Sequence, residues 1–261
     1  MNQTEIDKEL DSKDYKFELE KLDVLRNSII QCLTFCYLNS IRDGISQERN
    51  FFLRMLDDIL QSVVSINILA KEGISNTCFR ELRYLIEVSI KSCLIVNNTT
   101  KPVFEEQIKE YEKLLNSSNI NPINTLSFTY LKPDKDEEFK TEVKRLYGYL
   151  SKYTHSSSHQ IKERLVRAES GRTIGFEGTK ELRQLNDDIE KVYSSVIVFI
   201  FHSVAQYVVG DFLVETNGQT IDWVFNKSKF ISKIDEQFDY KQERKFILEE
   251  LKTKRKNRIK F

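Results

Sequence analysis

The sequence predicts an all-α protein, an up-and-down bundle of long helices with a C-terminal helical extension. Three observations lead there. Only 8 Gly and 3 Pro occur in 261 residues, too few turn formers for a many-stranded β protein. Apolar residues recur at steps of three and four, the spacing of one helix face. Charged residues make up 31% of the chain, as the solvated outer faces of helices require.

The elements follow in order. Residues 1–14 read as an acidic, mobile lead, residues 15–216 as the bundle and residues 217–261 as a basic helical extension. Leu19, Leu22, Leu25, Ile29, Leu33 and Cys36 mark a first amphipathic helix over 15–43, stopped by Gly44. Phe51, Met55, Ile59, Val63 and Ile66 mark a second over 47–72, closed by Gly73. Ser75 is the expected N-cap of a third helix reaching Val96. An Asn/Thr turn then precedes a fourth helix from Val103 to Leu115. The Asn-, Ser- and Pro-rich stretch 116–134 reads as an irregular connection. Acidic residues from Asp134 suit the start of a fifth helix that runs toward Tyr153. Three glycines in 168–178 mark a loop. A long helix over 179–214, apolar nearly all round in its second half, is expected at the bundle centre. Shorter helices around Trp223, Phe230, Phe238, Phe246 and Leu251 complete the chain.

Composition narrows the function. Forty basic residues balance forty acidic ones, so no global field draws nucleic acid or anionic lipid, and such a partner needs a local patch. The longest apolar run, Val196–Phe201, is too short to cross a bilayer. Residues Met1 to Asp23 carry eight acids and four bases, the reverse of a secretory leader. Cys32, Cys36, Cys78 and Cys93 sit among apolar helix residues and read as reduced core thiols, which points to the cytoplasm. The Ile, Lys and Asn enrichment fits a bacterial origin.

Two polar stretches stand where apolar residues are expected. In the third helix Arg80, Arg83 and Glu87 lie along one face. They form either a solvated ion pair or a buried pairing with the fifth helix. The second stretch, Tyr149 to His159, holds two of the three histidines. His155, His159 and Glu163 have the i, i+4, i+8 spacing of metal ligands, but no fourth ligand is apparent, and neither a metal nor a cofactor is assigned. Metal-independent RNA cleavage needs a proton-transfer group and a cation to steady the phosphorane. His155 with its companion His159, and Arg164 or Arg167, supply those types. Alternatively Ser151 and His155, one helical turn apart, bond Arg83 and Glu87 as a structural polar lock.

An Arg-x-x-Arg-x-x-x-Glu helix followed by Leu-Ser-x-x-x-His, carried by Arg83, Glu87, Leu150, Ser151 and His155, resembles the DUF5677-type bacterial helical proteins. It is more remotely similar to the HEPN superfamily of bundles. The resemblance implies a helical fold and a place in anti-phage or toxin-like systems that act on RNA or through a partner protein. The HEPN nuclease hallmark, an arginine four to six residues before a histidine, is absent. The chain ends in Lys252, Lys254, Arg255, Lys256, Arg258 and Lys260, a cluster able to pair with phosphates or to serve as a solvated tail. The expected partners are therefore RNA or a protein of the same operon, without a membrane, and homo-oligomerisation is left open. The competing reading is a non-catalytic interaction subunit.

Overall fold

The computed structural model describes residues 3–40, 50–97, 103–116, 119–154, 157–169, 178–214, 221–238, 249–251 and 253–254. These residues form helices and no strand, so the all-α expectation holds. We number the helices α1 Gln3–Leu10, α2 Lys13–Ser40, α3 Phe51–Arg54, α4 Leu56–Lys71, α5 Ser75–Asn97 and α6 Phe104–Leu115. Then come α7 Pro133–Ser151, α8 Ser158–Glu169, α9 Thr179–Phe201, α10 Gln206–Leu213 and α11 Lys229–Asp235. Short 3₁₀ turns cover Asn121–Thr125 and Val224–Lys227.

The bundle is built around α9. Every residue from Val192 to Phe201 is buried, and the helix packs against both α2 and α5. α4 lies across α2 and α5, and α7 packs on α5. Hydrophobic burial, at roughly 25 cal/mol per Å² of apolar surface, is the dominant favourable contribution in such a core. The core does not end at residue 216. Trp223, Phe225, Phe230, Ile234 and Phe238 join the same buried cluster, and the Trp223 indole N–H donates to the Ser28 carbonyl at 3.1 Å. The first part of the expected extension is thus core.

The N-terminal residues are likewise engaged. Ile6 is buried, and the Glu9 carboxylate accepts the Thr179 amide at 2.8 Å, capping the N-terminus of α9 with a negative charge. A polar seam joins α2 to α9. Buried Glu18 accepts from Arg183 Nε at 2.7 Å and from Asn186 Nδ2 at 3.0 Å, and Lys21 pairs with Asp187 at 2.9 Å and Glu190 at 3.5 Å.

Several helix boundaries depart from the sequence reading, for local reasons. The expected 47–72 helix breaks at Met55, which at φ −86° and ψ −1° closes the first piece and opens the second. Asn50 caps the short first piece by accepting from the Leu53 amide at 3.2 Å. Ser75 is the first helical residue rather than the cap, since the Cys78 amide bonds to the Ile74 carbonyl. The expected helix over 179–214 stops at Phe201 and resumes at Gln206. There the Ser203 hydroxyl donates to the Phe199 carbonyl at 2.8 Å while the Ser203 amide turns to Ile200, and the His202 ring bonds the Val198 carbonyl at 2.8 Å beside its own amide. The Gly44 stop, the Asn98–Thr100 turn and residues 170–177 lie outside the described residues.

Gly73 does close α4. Its φ is 67°, and the Ile74 and Gly73 amides bond to the Leu69 and Ala70 carbonyls, a left-handed helix stop. Gly73→Ala is expected to cost about 1 kcal/mol because a Cβ disfavours that φ. Urea denaturation measures it, and an unchanged midpoint would contradict the assignment of this stop.

Candidate functional site

The two polar stretches meet. α5 and α7 pack side by side, and Arg83 reaches across to donate from Nε to Ser151 Oγ at 3.1 Å and from Nη2 to the Tyr147 hydroxyl at 2.5 Å. That hydroxyl in turn donates to Glu87 Oε2 at 3.2 Å. Glu87 lies 3.6 Å from Arg83 and takes a 2.6 Å ion pair from Lys91, a nearly buried lysine one helical turn further on. Ser151 donates to the Tyr147 carbonyl at 2.7 Å, a local bond that fixes its oxygen as the acceptor for Arg83. The Arg83 and Glu87 side chains are each about one-fifth exposed, which sets this cluster apart from a solvated surface pair.

One turn earlier on α5, Arg80 Nε donates to the Tyr153 carbonyl at 3.0 Å, and Gln160 Nε2 from α8 donates to the same oxygen at 3.0 Å. The end of α7 is therefore satisfied by side chains from two other helices. Ser157 works as a joint. Ser157 Oγ donates to the Lys152 carbonyl at 2.6 Å and accepts the Gln160 amide at 3.3 Å, capping α8.

Beside this joint a cleft of about 330 Å³ opens between the start of α5, the end of α7, α8 and the start of α9. Phe79 and Tyr153 stack at 4.2 Å along one wall, with Tyr149 edge-on to Tyr153. Glu163, Glu181 and Asp187 line it together with Arg167, Lys180 and Arg183, so its charges balance. The Tyr153 hydroxyl donates to Glu163 at 3.1 Å.

Burial pushes the Tyr147 and Tyr153 phenols up to about 12, and it raises Tyr149 too, with Asp188 facing it. Burial also raises Asp188, against the opposing pull of Lys191. Proton abstraction near neutral pH needs a group whose pKa lies close to 7. These tyrosines therefore act here as hydrogen-bond donors rather than bases.

Of the residues singled out from the sequence, Arg83, Glu87 and Ser151 form one cluster. Arg167 lines the neighbouring cleft, and Arg164 is exposed on α8. His155 lies outside the described residues, and His159 is on α8 with its side chain outside them. Lys254 pairs with Glu250 at 2.7 Å, while Lys252, Arg255, Lys256, Arg258 and Lys260 lie outside the described residues. Glu163 bonds Tyr153, and no group of three metal-ligating side chains occurs among the described residues. The Cys32 and Cys36 thiols are buried, and burial raises the Cys32 pKa well above the ordinary thiol value, which makes it inert. Among the described residues no helix is long and apolar enough to cross a membrane.

Sequence reasoning missed Tyr147, Lys91 and Gln160 as parts of the cluster and joint. Tyr147 and Ser151 are four apart on α7, as Arg83, Glu87 and Lys91 are on α5, and that matched spacing was the available signal. No protein-family model, curated protein or solved structure matches the chain.

Proposed function

We propose that this protein is a non-catalytic helical interaction subunit, working through a partner protein in a bacterial anti-phage or toxin-like system. The setting comes from the DUF5677-type sequence resemblance. The molecular role rests on one observation: Arg83, Glu87, Lys91, Tyr147 and Ser151 bond one another across α5 and α7. A guanidinium committed to a serine, a tyrosine and a carboxylate is a fastener, since a charge engaged before any substrate arrives gains little in a transition state.

A second reading, an endoribonuclease, is favoured by Arg167 lining the aromatic cleft on the helix that follows His155. In it His155 and His159 transfer protons and Arg167, or the more exposed Arg164, steadies the phosphorane. Purified protein incubated with total RNA separates the two. The interaction reading expects intact RNA with wild type, His155→Ala and Arg167→Ala alike. RNA cut by wild type and spared by His155→Ala establishes the nuclease instead.

A further inference from the structure

Helix α8 is mounted inside out. It meets the body of the protein through polar side chains: Gln160 is buried on the Tyr153 carbonyl, Glu163 bonds the Tyr153 hydroxyl, and Arg167 lines the cleft. Its apolar stripe, Ile161, Leu165 and Ala168 at i, i+4 and i+7, faces the other way. Ile161 is 51% exposed, Leu165 58% and the adjacent Val166 64%. An amphipathic helix on a globular surface normally turns such a stripe to the core. Lys162 and Arg164 flank the stripe on its two sides, both exposed and neither in an ion pair with any described residue; exposed Glu169 follows on the Lys162 side two turns on, at the far end of the helix.

We propose that the outer face of α8 is a docking surface for an acidic amphipathic helix of a partner protein. The proposal rests on the interaction-subunit reading and gives it a location and a chemistry. A narrow aliphatic stripe of this spacing accepts the apolar edge of a second helix, as in helix-in-groove recognition. The two flanking cations fit carboxylates at the borders of that edge and repel a basic helix. Single-stranded RNA is a poorer fit, because bases stack best on broad aromatic rings and α8 carries no Phe, Tyr or Trp. Pairing of α8 with the α8 of a second copy is disfavoured by charge, because it would set exposed Lys162 and Arg164 against the same cations.

The test uses the full-length protein and a fluorescent synthetic peptide that is helical, with leucines at i, i+3 and i+4 flanked by glutamates. A scrambled peptide, a lysine-flanked peptide, a single-stranded RNA oligonucleotide and phosphatidylglycerol vesicles are run beside it. Preferential binding of the acidic peptide, weakened about tenfold or more in Ile161→Ser/Leu165→Ser, supports the surface. In Lys162→Glu/Arg164→Glu the preference should reverse toward the lysine-flanked peptide, a gain that misfolding cannot produce. All four substituted side chains are exposed, so thermal melts of both variants should overlay wild type. Equal binding of acidic and scrambled peptides overturns the proposal, as does binding of RNA or vesicles alone. Self-association that Leu165→Ser abolishes overturns it too. Intact RNA with no peptide preference removes this surface and leaves the interaction reading standing, whereas histidine-dependent RNA cleavage removes that reading itself.

Discussion

Arg83→Met is expected to lower the melting midpoint by about 4–12 °C. The substitution keeps much of the aliphatic volume but strips the donors from Ser151 and Tyr147 and leaves Glu87 with Lys91 as its charged neighbour. Breaking a fully buried pair costs about 3–5 kcal/mol. Here both side chains keep about one-fifth of their exposure, and water recovers part of the loss, so about 2–3 kcal/mol is the appropriate scale. For a domain of this size each kcal/mol moves the midpoint by about 2–4 °C. Arg83→Lys should fall between the two, because an ammonium keeps the charge without the planar fork that serves two acceptors at once. Scanning calorimetry decides the matter. A midpoint within a degree of wild type for Arg83→Met would mean that the cluster holds nothing together.

The second large effect concerns acid. The His202 ring is lodged between Phe128 and Tyr130, with Nδ1 donating to the Val198 carbonyl and Nε2 accepting the Tyr130 amide at 3.1 Å. That pattern requires a neutral ring, because a protonated Nε2 has no lone pair for the amide. Burial of the ring depresses its pKa to about 4, against an ordinary value near 6.5. Below pH 6.5 the unfolded chain takes up the proton first. The stability this ring confers is therefore complete above about pH 6.5, declines as the pH falls, and is gone below about pH 4. The full loss is about 3 kcal/mol, since each tenfold difference in proton affinity between the folded and unfolded chain is worth about 1.4 kcal/mol. His202→Gln, which offers an amide without a titrating proton, should flatten the pH dependence of stability across that window. Urea midpoints at pH 7, 5.5 and 4.5 for the two proteins give the comparison. The difference between them isolates the ring from carboxylates such as Asp23 and Glu138, whose cationic partners hold their pKa values down. Parallel curves would refute the neutral-ring assignment.

The fold was largely legible because long apolar periodicities leave few alternatives. The stripes of α2, α4 and α9 point to one core, and the structure assembles it from them. What was not legible depends on side chains that bond their own backbone. At the end of α9 the Ser203 hydroxyl takes the Phe199 carbonyl while its amide turns to Ile200, and the neighbouring sequence, still strongly apolar, gives no hint of a stop. Ser157 caps α8, a helix that the sequence reading did not place. The meeting of Arg83 with Ser151 was legible because a charge on an apolar helix needs a partner and the α7 stretch supplied one. The part played by Tyr147 was less so, since an aromatic at that spacing reads equally well as core filling. The Glu18–Arg183 seam joins residues 165 apart and left no local trace.

One oxygen atom serves two helices at once. The Tyr153 carbonyl is the shared anchor of Arg80 and Gln160, and so of α5 and α8. Arg80 is three residues before Arg83 on α5, so the seat of α8 and the Arg83–Glu87 cluster share one helix face. Substituting Gln160 removes one of the two donors at that carbonyl and leaves it to Arg80.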